Sequence, residues 1–179
     1  MSKLLLVLLV FPLCLISQEK FEFINEKIDF SLSASLFSIN GIYVFVNNAE
    51  KNVHQTIFFP FSENSESLNI NRIYNLTYNE NLTFKQVTNG LIFKMFMFPK
   101  DTVSINISYN QNTKRENTYI LESTQTWGKP LHNADYSLSA DNSVRIDSIS
   151  LKPDTLINNV YYWHKQNFYP NENFRVWIK

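Results

Sequence analysis

The chain has 179 residues, 44% of them apolar and 18% charged, with three glycines, six prolines and one cysteine. This composition excludes a disordered segment, a collagen-like repeat and a cysteine-stapled mini-protein. Sixteen basic and sixteen acidic side chains cancel, which removes the electrostatic footprint needed to bind nucleic-acid phosphates or an anionic membrane surface. Gly41, Gly90 and Gly128 lie in no Gly-rich phosphate-binding run, so the sequence lacks the cradles of nucleotide-dependent enzymes.

Lys3 precedes an uncharged run from Leu4 to Ile16, which is followed by Ser17 and the polar Gln18-Glu19-Lys20. Basic, apolar and small-residue regions in that order predict a secretory signal peptide over residues 1–17. Residues 18–179 are then expected to form one domain that is secreted, periplasmic or held at the cell surface. The apolar run is too short to span a bilayer, and no later stretch reaches the length of a membrane-crossing helix. Cys14 sits inside the run between Leu13 and Leu15, a setting unlike that of a lipid-accepting cysteine. Loss of the leader removes the only cysteine, and with it disulfides, thiolate metal ligands and a cysteine nucleophile. Stability must then come from the core, and a domain of this size buries roughly 70% of its unfolded surface.

After the leader the dominant period is two. Ile28, Phe30, Leu32, Ala34 and Leu36 alternate with Asp29, Ser31, Ser33 and Ser35, which in an extended chain separates an apolar from a polar face. Wound as a helix, the same residues would form no continuous apolar stripe. Asn40-Gly41 separates this run from Ile42 to Val46 and predicts a tight hairpin, because a type I′ turn needs positive φ at both central residues. Asn89-Gly90 repeats the signal between Leu82–Thr88 and Leu91–Phe98. Pro99-Lys100-Asp101 then predicts a turn into Val103–Tyr109, giving three consecutive antiparallel strands. Leu91–Phe98 is apolar at nearly every position and reads as a central strand covered on both faces.

Further strands are expected over Thr56–Phe61, Leu68–Tyr74, Thr118–Ser123, Ala134–Ala140, Ser143–Leu151, Val160–His164 and Phe174–Ile178, each bounded by Asn, Asp, Pro or Ser. One short helix is expected around Ser62–Ser67. The 23 asparagines suit turns, since the amide tolerates the left-handed region and bonds its own backbone. No linker divides the chain. The expectation is an all-β fold: a single antiparallel β-sandwich, immunoglobulin-like or jelly-roll-like, of about eleven strands.

Residues that carry chemistry are sparse. His54, His132 and His164 lack the spacing of a metal site, although His132 lies three residues before Asp135. No nucleophile elbow is present. Asp29, Glu122, Asp135 and Asp141 lie on or beside predicted strands and are the carboxylates from which a glycosidase pair could be drawn. Asp135, Asp141, Asn142 and Asp147 offer oxygen ligands, but without the spacing of a calcium loop, and turn chemistry accounts for them. Asn75, Asn81 and Asn106 head glycosylation sequons. No catalytic residue, metal ligand or cofactor is assigned. Tyr161 and Trp163 share one strand face, and with Trp177 they form the candidate ligand platform, because exposed aromatic rings stack on sugars.

Residues 119–138, which contain Tyr119-Ile-Leu, Trp127-Gly, Pro130-Leu and Tyr136, together with Val103–Tyr109 and Gly41–Phe61, resemble a pattern in uncharacterised secreted bacterial β-sandwich proteins. The resemblance covers about a quarter of the chain and implies a surface or periplasmic sandwich of unassigned activity. The functional expectation is an exported, non-enzymatic module that binds a protein or glycan at the cell surface. The alternative is a carbohydrate-binding module or carbohydrate-active hydrolase on the same scaffold.

Overall fold

The computed structural model describes residues 21–63 and 68–179. The expected signal peptide over 1–17 and most of the expected helix over 62–67 lie outside the described residues. Within them the chain is all-β, with fourteen strands in three sheets where a single sandwich of about eleven was expected.

The largest sheet contains β1 (Phe21–Leu32), β2 (Leu36–Asn47), β4 (Asn69–Asn75), β5 (Glu80–Asn81), β8 (Thr102–Asn112), β10 (Leu131–Ala140), β12 (Thr155–Ile157) and β13 (Val160–Phe168). Its strand order is β12-β13-β10-β1-β2-β8-β4-β5. A second sheet joins β3 (Val53–Pro60), β7 (Gly90–Met97) and β6 (Phe84–Val87), and a third joins β11 (Ile146–Ile149), β14 (Phe174–Ile178) and β9 (Glu116–Tyr119). The extra strands, β5 and β12, are short pieces, too brief for alternation to register in the sequence.

All three sheets bury their apolar side chains in one cluster. Phe30 of β1 stacks on Phe174 of β14 with ring centroids 4.4 Å apart. Tyr43 of β2 meets Phe59 of β3 edge-on at 5.3 Å. Both smaller sheets therefore contact the same face of the large one.

Two expected turns resolve differently. Asn40-Gly41 lies inside β2, and Gly41 pairs with Ile28 on one side and Ile107 on the other. The chain reverses earlier, at Ser33-Ala34-Ser35, where the Ser33 hydroxyl accepts the Leu36 amide at 3.0 Å and substitutes for a glycine-containing turn. Gly41 is required for close approach: a Cβ there would lie 2.2 Å from the Tyr43 hydroxyl oxygen. The second hairpin forms where expected, joining β6 to β7 through Thr88-Asn89, with Gly90 already in the strand opposite Val87. A Cβ on Gly90 would strike the Phe59 carbonyl at 2.5 Å. After β7, the turn at Pro99-Lys100-Asp101 carries the chain into another sheet, so β7 and β8 are not paired.

The sheet is also not wholly antiparallel, because β1 and β10 run parallel from Asn25↔Asn133 to Leu32↔Ala140. The long connection between them permits this, as parallel neighbours need an extended crossover.

Gly41→Ala is expected to lower stability by about 1–3 kcal/mol, the range for overpacking. To admit the methyl the Tyr43 ring must shift, which breaks its hydroxyl bond to Tyr119. Denaturant unfolding checks this, and an unchanged midpoint would contradict the close-approach role.

Candidate functional site

β1 changes phase near its start. Ile28, Phe30 and Leu32 point into the core, and Glu26 shares their parity, so a carboxyl is carried into the apolar interior, where it is 3% exposed. A register shift between Phe23 and Asn25 reverses the alternation and turns Phe23 inward as well, as a β-bulge does. Opposite Glu26, the parallel partner is Ala134, whose methyl leaves room for a carboxyl. Two residues further along the same face of β10, the Tyr136 hydroxyl bonds the Glu26 Oε1.

This carboxyl lies at the floor of a cavity of about 780 Å³ between β1 and β2, β3, and the segment after β9. Tyr43 and Tyr119 join hydroxyls at 2.8 Å on the same floor. One wall is aromatic: the indole of Trp127 lies 5.6 Å from Phe21, 5.8 Å from Phe23 and 5.6 Å from Phe45. Trp127 ends a 3-10 helix, Glu122–Trp127, that stops at Gly128 with φ of 72°. This end of the helix places the indole against Phe21, Phe23 and Phe45 beside the cavity. Glu122 lines the mouth and accepts the Asn173 side-chain amide at 2.7 Å.

Burial is the largest influence on Glu26 and pushes its pKa up to about 7, with the Tyr136 hydroxyl opposing the shift. Desolvation disfavours the charged carboxylate, and a hydrogen-bond donor restores part of the loss. Burial likewise drives the hydroxyls of Tyr43, Tyr119 and Tyr136 well above their ordinary value, so these phenols stay neutral wherever the protein is folded. The floor thus holds one ionisable carboxyl among neutral hydroxyls.

The residues singled out in the sequence lie elsewhere. Trp163 is 2% exposed, its indole N–H donates to the Leu151 carbonyl at 3.0 Å, and its ring meets Phe174 at 5.3 Å. Tyr161 is half-buried beside it. Trp177 belongs to the third sheet and donates to Glu116 Oε2 at 3.2 Å, so the three rings form no common platform.

Of the four carboxylates, only Glu122 reaches the cavity. Asp29 accepts the Ser137 hydroxyl at 2.6 Å. Asp135 pairs with His164 at 2.6 Å and not with His132, because β10 and β13 place Asp135 and His164 directly opposite. Asp141 accepts the Ser143 amide at 2.9 Å within its own turn, Asp147 pairs with Lys179 at 3.0 Å, and Asn142 is exposed in the same turn as Asp141. Among the described residues no three or more His, Cys, Asp or Glu side chains cluster as metal ligands. His54 meets Phe96 at a tilt, with ring centroids 5.0 Å apart. Asn75 and Asn106 are buried and bonded within the fold, whereas Asn81 is exposed.

Sequence reasoning missed Glu26, and the signal was its parity: a carboxylate in phase with Ile28, Phe30 and Leu32. Phe21 and Phe23 gave none, because the bulge that turns them inward leaves no mark in the alternation.

The fold is similar to that of a solved structure from Legionella pneumophila described as a "putative nutrient binding protein", with a TM-score of 0.70 and 13% identity over 90% of this chain and 68% of that one. It is also similar to an M1 zinc metallopeptidase from Deinococcus radiodurans, with a TM-score of 0.55 and 10% identity over 89% of this chain and 43% of that one. Native yeast LTA4 hydrolase matches with a TM-score of 0.53 and 12% identity, over 92% of this chain and 30% of that one. At these identities the likeness is one of fold, and this chain spans less than half of either hydrolase. No protein-family model matches the sequence, and no curated protein matches it.

Proposed function

We propose that this chain is an exported binding module that encloses a small organic molecule in the cavity above Glu26. The observation that carries the proposal is the cavity itself. Its volume of about 780 Å³ lies within the range of small-molecule sites, roughly 300–1,000 Å³, and like them it has apolar aromatic walls and a few convergent polar groups. The Legionella protein described as nutrient-binding supports a binding role, and the leader read over residues 1–17 supports export. Such a module would meet its ligand outside the cytoplasm, and the aromatic wall would hold the ligand's apolar body. This reading narrows the expected surface partner to a small molecule and leaves the platform of Tyr161, Trp163 and Trp177 without a role.

Thermal-shift screening of a small-molecule library tests it. A ligand at about one hundred times its Kd stabilises by about 2.7 kcal/mol, which in a domain of this size raises Tm by about 5–10 °C. Trp127→Ala opens the aromatic wall, so its shift with the same compounds is expected to be lost, whereas Trp127→Phe retains much of it. Compounds that stabilise wild type and Trp127→Ala equally would place binding elsewhere, and no stabilising compound at all would oppose the proposal.

A further inference from the structure

The cavity has a consistent electrical character. Its lining, taken over the described residues, contains two carboxyls, Glu26 and Glu122, and no lysine, arginine or histidine. Tyr136 is the only hydrogen-bonding partner of Glu26 among the described residues, which leaves one oxygen of a buried carboxyl without a donor. In the Tyr43–Tyr119 pair one hydroxyl donates to the other, so one phenolic hydrogen remains free to donate. Because Glu26 lines the cavity, a donor on a bound molecule can reach that second oxygen, and rings around it attract cations through their π faces.

From this geometry we infer that the cavity selects organic cations: the ligand is an amine with an aromatic or aliphatic body, its ammonium bound to the free oxygen of Glu26 and its body held by Trp127, Phe23 and Phe45. This rests on the reading of the cavity as a small-molecule site and specifies the ligand class. An anionic molecule of the same shape would meet two acids and no counter-charge. A neutral alcohol would bond Glu26 but bring no charge to it.

The groups facing Glu26 from the elements packed around it are the hydroxyls of Tyr43 on β2, Tyr119 on β9 and Tyr136 on β10. All are held neutral by burial, so Glu26 is the group on the floor whose charge changes near neutrality. An ammonium beside the carboxyl favours its ionised form, so binding should release a proton where Glu26 would otherwise hold one. Amine affinity should therefore rise between about pH 6 and about pH 8, while a simple alkylamine remains protonated throughout.

The test is calorimetric titration of the chain with 2-phenylethylamine and tryptamine, each matched with the alcohol of the same skeleton, against wild type, Glu26→Gln and Glu122→Gln. The expected result is at least tenfold tighter binding of each amine than of its alcohol, with a heat that depends on buffer ionisation. Glu26→Gln should abolish the preference, whereas Glu122→Gln, which removes the second acid of the lining, should reduce it without abolishing it. Equal affinities for amine and alcohol, or a preference that survives Glu26→Gln, would overturn the inference while leaving the cavity as a binding site. If neither member of a pair binds but other compounds give Trp127-dependent thermal shifts, the cation inference alone fails. If nothing binds in either experiment, both readings fail.

Discussion

Glu26→Gln is expected to make the protein more stable than wild type at about pH 8, by on the order of 3 kcal/mol, and to flatten its stability between about pH 5 and pH 8. The native carboxyl titrates near 7, above its ordinary 4.5, so across that interval the folded state keeps a proton that the unfolded chain has released. For an acid shifted upward, the favourable contribution is whole below the unfolded value and is lost as pH rises through the folded one. Wild type should therefore weaken as the medium becomes alkaline. The substituted amide has no charge to desolvate, fills nearly the same volume and keeps an oxygen for the Tyr136 hydroxyl, so the variant loses little of the native packing. Urea unfolding at a series of pH values measures this. Parallel curves for the two proteins would show that Glu26 titrates normally and is not desolvated in solution.

Trp163→Ala is expected to cost about 3–5 kcal/mol, the range for emptying a large aromatic site. The side chain is 2% exposed and among the largest fully buried ones. It joins β13 to β14 through Phe174 at 5.3 Å, and its removal strands the Leu151 carbonyl that accepts its N–H at 3.0 Å. Trp163→Phe fills most of the space and loses the hydrogen bond, so it should cost less, with about 1 kcal/mol of the loss from the bond. An exposed stacking platform would behave otherwise, since surface substitutions fall mostly within about 0.5 kcal/mol of neutral. A small effect of Trp163→Ala would thus return the ring to the surface and revive it as a sugar-binding residue.

The contrast between Trp163 and Glu26 shows which parts of this molecule can be read from its sequence. Strands whose inward residues are uniformly apolar were legible in part: Leu91, Phe93, Met95 and Met97 of β7 are buried, but on the other face Ile92 and Phe96 are half-buried and Lys94 is exposed, so one face is covered where both were expected. The period says that a ring faces inward or outward but not which sheet covers it, so Tyr161 and Trp163 could be placed on one strand face while the burial of Trp163 under Phe174 remained invisible. Asn40-Gly41 misled for a physical reason: glycine serves turns and close approaches alike, and here the phenol of Tyr43 two residues later needed the space. The parallel pairing of β1 with β10 joins residues more than a hundred positions apart, and no local signal encodes it. The site depends on that pairing, since it sets Tyr136 and Ala134 against Glu26, and on the 3-10 helix that brings Trp127 to Phe21, Phe23 and Phe45.

The most direct measurement is a backbone amide chemical-shift map of the folded chain, titrated with the compounds that raise its melting temperature. Saturable changes concentrated in residues 21–26, 43–45, 55–60 and 119–127 are the predicted result, because these segments supply most of the cavity lining. Changes centred instead on Tyr161, Tyr162 and Trp177, or spread without saturation over the outer faces of the sheets, would contradict a ligand held above Glu26.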